Sequence, residues 1–307
     1  MEQSNHFKTY LALIGAVVFW GLSFVATKIA LEDFSTFTLI FIRFALASCV
    51  FFALMLHFGF PKFTRKEHGK LLLMSLFEPG LYFIFETVGL QHTTAPKAAL
   101  IIATVPIAVT ILGTIFLDER TNMASIMGIS ISFVGIAVLV VGDPQFSWDL
   151  GGALLGDLLI FGAVISAAVY IICARDVGQN HSALEITSVQ CVYGVIFFAP
   201  AFLWELPGMN WSAVSGRSMA SLAYLTVFAT IIAFLCYNYA LTKIAAFRAS
   251  IFINCIPVVT ALGAWILLGE KLTPIQTAGG LLVLISVCVT NLSAFRTAPR
   301  EFGESVA

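Results

Sequence analysis

The sequence predicts an all-α membrane protein of ten transmembrane helices, arranged as two inverted five-helix repeats. Of the 307 residues, 59% are hydrophobic and only 11% are charged, and the mean hydropathy is +0.96. Water-soluble domains of this length do not normally have such a composition. A helix needs about 20 predominantly apolar residues to cross the hydrocarbon core of a bilayer, and runs of that length recur along the whole chain. The halves also match each other in sequence, which indicates a repeat.

The apolar runs define ten predicted spans, whose limits are set by polar residues, proline or glycine. They lie at 10–30, 36–56, 71–90, 98–117, 124–142, 153–173, 183–203, 219–240, 249–268 and 274–294. Most connections are short, so consecutive helices are expected to be antiparallel neighbours. The first run is too long for the apolar region of a cleavable signal peptide and lacks a clear small-residue cleavage site. It is therefore predicted to be a spanning helix.

The positive charges predict that both termini are cytoplasmic. With the N-terminus inside, the inner segments carry eleven Lys and Arg residues, whereas the outer ends carry only Lys28, Lys97, Arg217 and Lys271. An excess of Lys and Arg marks the cytoplasmic side of a membrane protein. We therefore expect a multi-pass protein of the bacterial inner (plasma) membrane, surrounded by the lipid bilayer.

Composition and motifs exclude several classes of function. The net charge of −1 gives no reason to expect a nucleic-acid partner. The six cysteines lie in apolar runs without a CxxC pair, and no histidine has metal-ligand spacing, so neither a metal nor another cofactor is expected. The phosphate-binding motif GxxxxGK[ST] is absent from the sequence, which argues against ATP hydrolysis as the energy source.

A shift of 151 residues places the third to fifth spans on the eighth to tenth without a gap. Helix and loop residues match together: Gly89-Leu90 falls on Ala240-Leu241, Lys97-Ala98 on Arg248-Ala249, Pro106 on Pro257, Leu117 on Leu268, Glu119-Arg120 on Glu270-Lys271, and Gly128 on Gly279. Because five spans is an odd number, the second copy must enter the membrane from the opposite side. The predicted repeats are residues 1–147 and residues 148–307, the latter with a short cytoplasmic tail.

Local motifs over most of the chain, from Leu11 to Leu292, resemble the EamA branch of the drug/metabolite transporter superfamily. The motifs are Phe19-Trp20-Gly21, Ile42-Arg43-Phe44, Thr93-Thr94-Ala95 before Ala98-Ala99 and Pro106, Gly156-Asp157, Ala246-Phe247-Arg248-Ala249 before Pro257, and Leu268-Gly269-Glu270-Lys271. The resemblance implies a central cavity between the halves that opens alternately to either side. The midplane polar residues predict that spans 1, 3, 4, 6, 8 and 9 bound this cavity.

Glu78 and Glu86 are candidate coupling residues, because a carboxylate at the bilayer centre costs about 3 kcal/mol on insertion scales. At 3.6 residues per turn they lie within about 80° of each other, with Tyr82 between them on the same face. This face could take up protons or bind a substrate ammonium group. Alternatively, Glu86 pairs with Lys97 and Glu78 with Arg43, or Glu78 serves only a local kink next to Pro79.

Lys97 and Arg248 are repeat mates at the ends of spans 4 and 9, where they are candidate gating residues for an anionic substrate. The alternative is that each side chain extends to the headgroup region. Pro106 and Pro257 each remove a backbone hydrogen bond in a span, so they are predicted helix kinks that suit a rocking motion, although packing alone could account for them. The loop residues Glu119 and Glu270 are expected to cap helix ends.

The predicted substrate-binding residues combine these candidates with polar or aromatic residues at similar depth. Their alternative role is interhelical hydrogen bonding or core packing. The predicted set is Trp20, Tyr82, Glu86, Thr104, Tyr170, Asn238 and Asn254, with Tyr237 as a further aromatic candidate.

The resulting functional hypothesis is a secondary transporter, and specifically an exporter, of small organic metabolites such as amino acids or their derivatives. Protons are a candidate coupling ion. Import of a vitamin-like or nucleotide-like aromatic compound is the alternative within transport. A membrane-embedded enzyme is the alternative from another class, but it would need a nucleophile, metal cluster or carboxylate pair at a membrane face, and no such set is found. A monomer and a homodimer are both compatible with the sequence.

Overall fold

The computed structural model describes residues 2–116, 123–144, 146, 148 and 152–297. Throughout these ranges the regular elements are helices, so the predicted all-α class is confirmed. We number the long helices in chain order, joining segments that run on through a local break. They are α1 Glu2–Ala30, α2 Thr36–Phe58, α3 Arg65–His92, α4 95–116, α5 Met123–Val141, α6 Ala153–Val177, α7 Ala183–Glu205, α8 Gly216–Lys243, α9 246–268 and α10 Pro274–Thr297.

Eight of these helices are long and apolar enough to cross a membrane, namely all except α5 and α10. The two exceptions contain shorter apolar stretches within the described residues, Met127–Val141 and Pro274–Ser286. The described part of the chain is therefore all-helical and has the spans of a multi-pass membrane protein.

Hydroxyl residues mark where the helices begin in both halves. Thr64 and Ser215 precede α3 and α8 and lie 151 residues apart, and each hydroxyl accepts a hydrogen bond from a backbone N–H of the first turn. Ser182 caps α7 in the same way. These side chains satisfy donors that have no partner inside the helix. The residue that precedes α2 is also a serine, Ser35.

Two pairs of helices are interrupted at equivalent positions of the repeat. α3 widens into a π-helical segment at Leu76–Leu81, and α8 does so at Leu225–Ile232. Inside the first segment Glu78 has extended backbone angles (φ −145°, ψ 111°), next to Pro79, which has no backbone N–H to donate.

The second pair of breaks lies in α4, between Ile102 and Val105, and in α9, at the 3-10 segment Phe252–Cys255. Pro106 and Pro257 each occupy the second position of the helical segment that follows the break. A proline in the first turn of a helix costs no hydrogen bond, because that N–H would have no intrahelical partner. The two prolines thus stand where the helices restart.

The most extensive helix contacts join the first five helices to the last five. α1 packs against α8 and α9, and α6 packs correspondingly against α3 and α4. α2 contacts α7, α4 contacts α9, and α5 contacts α10. The same pattern of contacts results when helices α1–α5 are exchanged with helices α6–α10 in order. α5 and α10 approach closely at Gly279, where an added Cβ would lie 2.6 Å from the backbone nitrogen of Leu139.

Candidate functional site

A cavity with about 540 Å³ of empty space lies between the halves, beside the breaks in α3, α4 and α9. Its walls come from the six helices expected from the sequence, α1, α3, α4, α6, α8 and α9, and also from α2. The lining residues are Trp20, Ser23, Phe24, Arg43, Glu78, Tyr82, Phe83, Glu86, Ile102, Val105, Ala167, Tyr170, Ile171, Phe234, Tyr237, Ile253 and Ile256.

Three acidic or basic side chains line this cavity, and all are buried: Arg43 is 3% exposed, Glu78 is 5% and Glu86 is 3%. Among the described residues, no carboxylate oxygen lies within 4.0 Å of the Arg43 guanidinium nitrogens. The anticipated Glu78–Arg43 ion pair is therefore not formed. Buried charges are costly without partners, so this arrangement favours a polar or charged ligand between them.

Local contacts orient two of these groups. Arg43 Nε donates a hydrogen bond to Thr230 Oγ1 at 2.9 Å, and its guanidinium lies 4.5 Å from the centre of the Phe83 ring. Glu86 accepts a hydrogen bond from Thr87 Oγ1 at 3.0 Å. A cation over an aromatic face is stabilised by the ring quadrupole, which helps to hold Arg43 in this apolar setting.

Aromatic rings form another part of the cavity wall. Trp20 lies 4.9 Å from Tyr237 and 5.3 Å from Phe234 between ring centres. Trp20 Nε1 donates to the carbonyl of Ala229 at 3.1 Å, so the indole contributes its ring, rather than its N–H, to the cavity. The Tyr237 hydroxyl is buried and has no hydrogen-bond partner in the described part of the chain. Buried hydroxyls are normally paired, so this group is available to a ligand.

Tyr170 and Asn238 belong to a hydrogen-bond chain behind the wall. Tyr170 Oη donates to Asn238 Oδ1 at 2.7 Å, while Asn238 Nδ2 donates to Thr187 Oγ1 at 2.9 Å and to Gln190 Oε1 at 3.3 Å. Gln190 Nε2 donates to the backbone carbonyl of Glu78 at 3.1 Å. The ring of Tyr170 lines the cavity, but Asn238 supports the wall from outside it.

Three further candidates are not lining residues. Thr104 donates its hydroxyl to the carbonyl of Ile101 and borders a smaller, apolar cavity between α4, α5 and α6. Asn254 lies in the 3-10 segment of α9, between the lining residues Ile253 and Ile256. Arg248 lies in the first turn of α9, outside the cavity wall.

Lys97 is fully buried, and its ammonium group lies 2.7 Å from carboxylate oxygens of both Asp143 and Asp157. Asp157 also accepts a hydrogen bond from Thr93 Oγ1 at 3.0 Å. The anticipated pairing of Glu86 with Lys97 is therefore wrong, and so is the extension of Lys97 to the headgroups. The first turn of α4 directs this side chain toward the ends of α5 and α6.

A second cationic residue, Lys28, lies beside the cluster of Lys97, Asp143 and Asp157. Lys28 Nζ donates to the carbonyl of Thr93 at 2.9 Å and to Glu270 at 2.6 Å, and Glu270 accepts a hydrogen bond from the N–H of Ala95 at 2.8 Å. The expected capping role is confirmed for Glu270, which serves the start of α4. Its repeat mate Glu119 lies outside the described residues, as does Arg120.

The repeat identifies lining residues that polarity alone does not. Phe83 and Phe234 are repeat mates, as are Ile102 and Ile253, and Val105 and Ile256. Glu86 is the mate of Tyr237. Both members of each pair face the same cavity, so a position chosen in one half indicates its mate in the other. Arg43, which the sequence suggests only as an ion-pair partner, is also a lining residue.

Comparison with known proteins extends over almost the whole chain. The model of the EamA-like transporter family matches residues 7–141 and 154–292. An uncharacterized transporter of Archaeoglobus fulgidus is 30% identical over 92% of this chain and 98% of its own length, and the uncharacterized transporter YetK of Bacillus subtilis is 27% identical over 92% and 86%.

The chain is also similar to a relative whose name states an activity and to a protein of solved structure. A probable terminal-alkyne amino-acid exporter of Streptantibioticus cattleyicolor is 23% identical over 92% of this chain and 93% of its own length. A solved crystal structure of 16% sequence identity superposes with a TM-score of 0.67 and covers 92% of this chain and 98% of that chain. The second similarity shows a shared fold.

Proposed function

The chain belongs to the EamA-like transporter family, and from that premise we propose that it exports an amino acid or a derivative by alternating access through the central cavity. It is a transporter rather than an enzyme. The name of the Streptantibioticus cattleyicolor relative supports an amino-acid-like substrate and outward transport.

The observation that carries this proposal is the set of buried acidic and basic side chains, Glu78, Glu86 and Arg43, around one cavity. Arg43 suits a carboxylate, because its planar guanidinium can donate two parallel hydrogen bonds. Glu86 and Glu78 suit an ammonium group, and the rings of Trp20 and Phe234 suit an apolar side chain. A zwitterion with a bulky side chain complements all three features at once.

The proposal can be tested with L-phenylalanine as the zwitterionic probe in proteoliposomes. We expect Arg43→Gln to weaken its binding about 10- to 100-fold, because a hydrogen bond to a charged group contributes about 1.5–3 kcal/mol. Phenethylamine, which lacks the carboxylate, should bind wild type and variant alike. Arg217→Gln, an exposed cation remote from the cavity, is the matched control. Unchanged L-phenylalanine flux in Arg43→Gln would argue against the proposal.

Import of a vitamin-like or nucleotide-like aromatic compound is the second candidate, favoured by the aromatic wall of Trp20, Tyr82, Phe234 and Tyr237. Such rings can stack on a planar ligand. Competition of unlabelled nucleosides, aromatic vitamins and amino acids against L-phenylalanine counterflow separates the two candidates. Net flux from inside-out and right-side-out vesicles gives the direction.

We also propose that the protein spans the membrane ten times, as inverted repeats of residues 1–147 and 148–307. The exchange symmetry of the helix contacts supports this proposal, as do the equivalent breaks in α3 and α8 and in α4 and α9. On this proposal α5 and α10 complete the two repeats, and both termini are cytoplasmic in a bacterial plasma membrane.

This orientation predicts the labelling of two exposed positions. In a cysteine-free background, Ser212→Cys, in the connection between α7 and α8, should react with an impermeant maleimide added outside intact cells. Lys66→Cys, at the start of α3, should react only after the membrane is opened. The reverse pattern would exclude cytoplasmic termini.

A further inference from the structure

Arg43 and Gln190 occupy equivalent positions in α2 and α7. Each lies eight residues after the serine that precedes its helix, Ser35 or Ser182. α2 packs against the π-helical segment of α8, and α7 packs against the π-helical segment of α3. Each residue therefore faces the widened turn of a helix from the other half.

Both side chains donate a hydrogen bond to that turn. Arg43 Nε donates to Thr230 Oγ1 at 2.9 Å, and Gln190 Nε2 donates to the carbonyl of Glu78 at 3.1 Å. Thr230 in turn donates its hydroxyl to the carbonyl of Leu225, five residues earlier, at 2.8 Å. Thr230 thus links the Arg43 side chain to the backbone of the π turn of α8.

The two contacts differ in their access to the cavity. Gln190 lies behind the wall, and its amide oxygen is used by Asn238. Arg43 lines the cavity, and within the described ranges its only hydrogen-bond acceptor is Thr230. A carboxylate that approaches the guanidinium from the side takes Nε together with one terminal nitrogen, so it competes with Thr230.

We propose that Thr230 is a positioning residue for transport: a substrate carboxylate takes Arg43 Nε from Thr230 and thereby frees the π turn of α8, while Gln190 keeps the π turn of α3 fixed. This inference rests on the proposed function and deepens it. It identifies α8 as the helix whose mobility responds to the substrate and the carboxylate as the group that is sensed.

Hydrogen–deuterium exchange of the purified protein in detergent tests the contact without a substrate. Thr230→Val keeps the shape of the side chain but removes its hydroxyl, so deuterium uptake in Leu225–Ile232 should rise several-fold. Thr230→Ser retains the hydroxyl and should behave as wild type. In Gln190→Leu the increase should instead appear in Leu76–Leu81. Unchanged uptake of Leu225–Ile232 in Thr230→Val would overturn the inference.

Three probes test the response to a ligand. L-Phenylalanine and 3-phenylpropionate, which carry a carboxylate, should raise uptake in Leu225–Ile232 of wild type but add nothing in Thr230→Val. Phenethylamine should leave this segment unchanged. Thermal stabilisation by L-phenylalanine with no rise in uptake would overturn the inference alone. The absence of stabilisation by any of the three probes would contradict the proposed function as well.

Discussion

Lys97→Met is expected to lower the free energy of unfolding by about 3–5 kcal/mol, a large loss for a single substitution. Lys97 is fully buried between Asp143 and Asp157, whose side chains are 10% and 4% exposed. Removing the ammonium group leaves two neighbouring carboxylates without their cation in a setting of low dielectric. The melting temperature of the purified protein in detergent should fall by several degrees.

Lys28→Met is the matched control, because Lys28 pairs with Glu270 at partly exposed positions, 24% and 17%. Exposed or partly exposed pairs contribute about 1 kcal/mol or less, so this variant should be near wild type. Adding Asp157→Asn to Lys97→Met should recover part of the loss, since it removes one of the orphaned charges. A melting temperature in Lys97→Met equal to that of Lys28→Met would contradict a structural role for the buried cluster.

The buried cluster of Lys97, Asp143 and Asp157 belongs to a larger network that connects the two halves. Thr93 connects the contacts of Lys28 with those of Lys97. Its carbonyl accepts a hydrogen bond from Lys28, and its hydroxyl donates to Asp157, the partner of Lys97. The network joins α1, the turn between α3 and α4, the start of α6, and Glu270 after α9. It therefore links both halves through charged side chains that are each at most 24% exposed.

Much of the fold was predictable from the sequence, because apolar runs of membrane-spanning length identify helices directly. Each predicted span falls on one of the ten helices, although α5 and α10 have only short apolar stretches in the described residues. The matching prolines Pro106 and Pro257 indicated equivalent interruptions. The interruption of α8 had no such signal, since Leu225–Ile232 contains neither proline nor glycine.

The side-chain partners were less predictable, for a physical reason. In lipid, the buried face of a helix need not be more apolar than the exposed face, so the sequence gives the depth of a residue but not its direction. Thr104 and Asn254 have suitable depth, yet they do not line the main cavity. Proximity in sequence favours Glu86 as the partner of Lys97, whereas the actual partners, Asp143 and Asp157, come from distant parts of the chain.

Glu86→Gln is expected to abolish accumulation of L-phenylalanine driven by a pH gradient, while leaving its exchange across the membrane largely intact. A charged carboxylate in hydrocarbon costs about 3 kcal/mol, whereas one that faces water does not, so alternating exposure changes its proton affinity. Glu86 lines the cavity and is hydrogen-bonded only to Thr87 in the described chain, which leaves it accessible from the cavity. Exchange need not complete a proton cycle, so it can survive the loss of the carboxyl group.

A structural role for Glu86 predicts a different result. Its opposite charge in the cavity is Arg43, since Lys97 is paired with Asp143 and Asp157. Glu86→Gln would lower stability and slow gradient-driven flux and exchange alike, and the further change Arg43→Gln should restore stability by removing the orphaned cation. Glu78→Gln, at the break in α3, serves as the comparison for removal of a cavity carboxylate. If flux in the unmodified protein does not depend on the pH gradient, transport is not coupled to protons and Glu86 has no coupling role to lose.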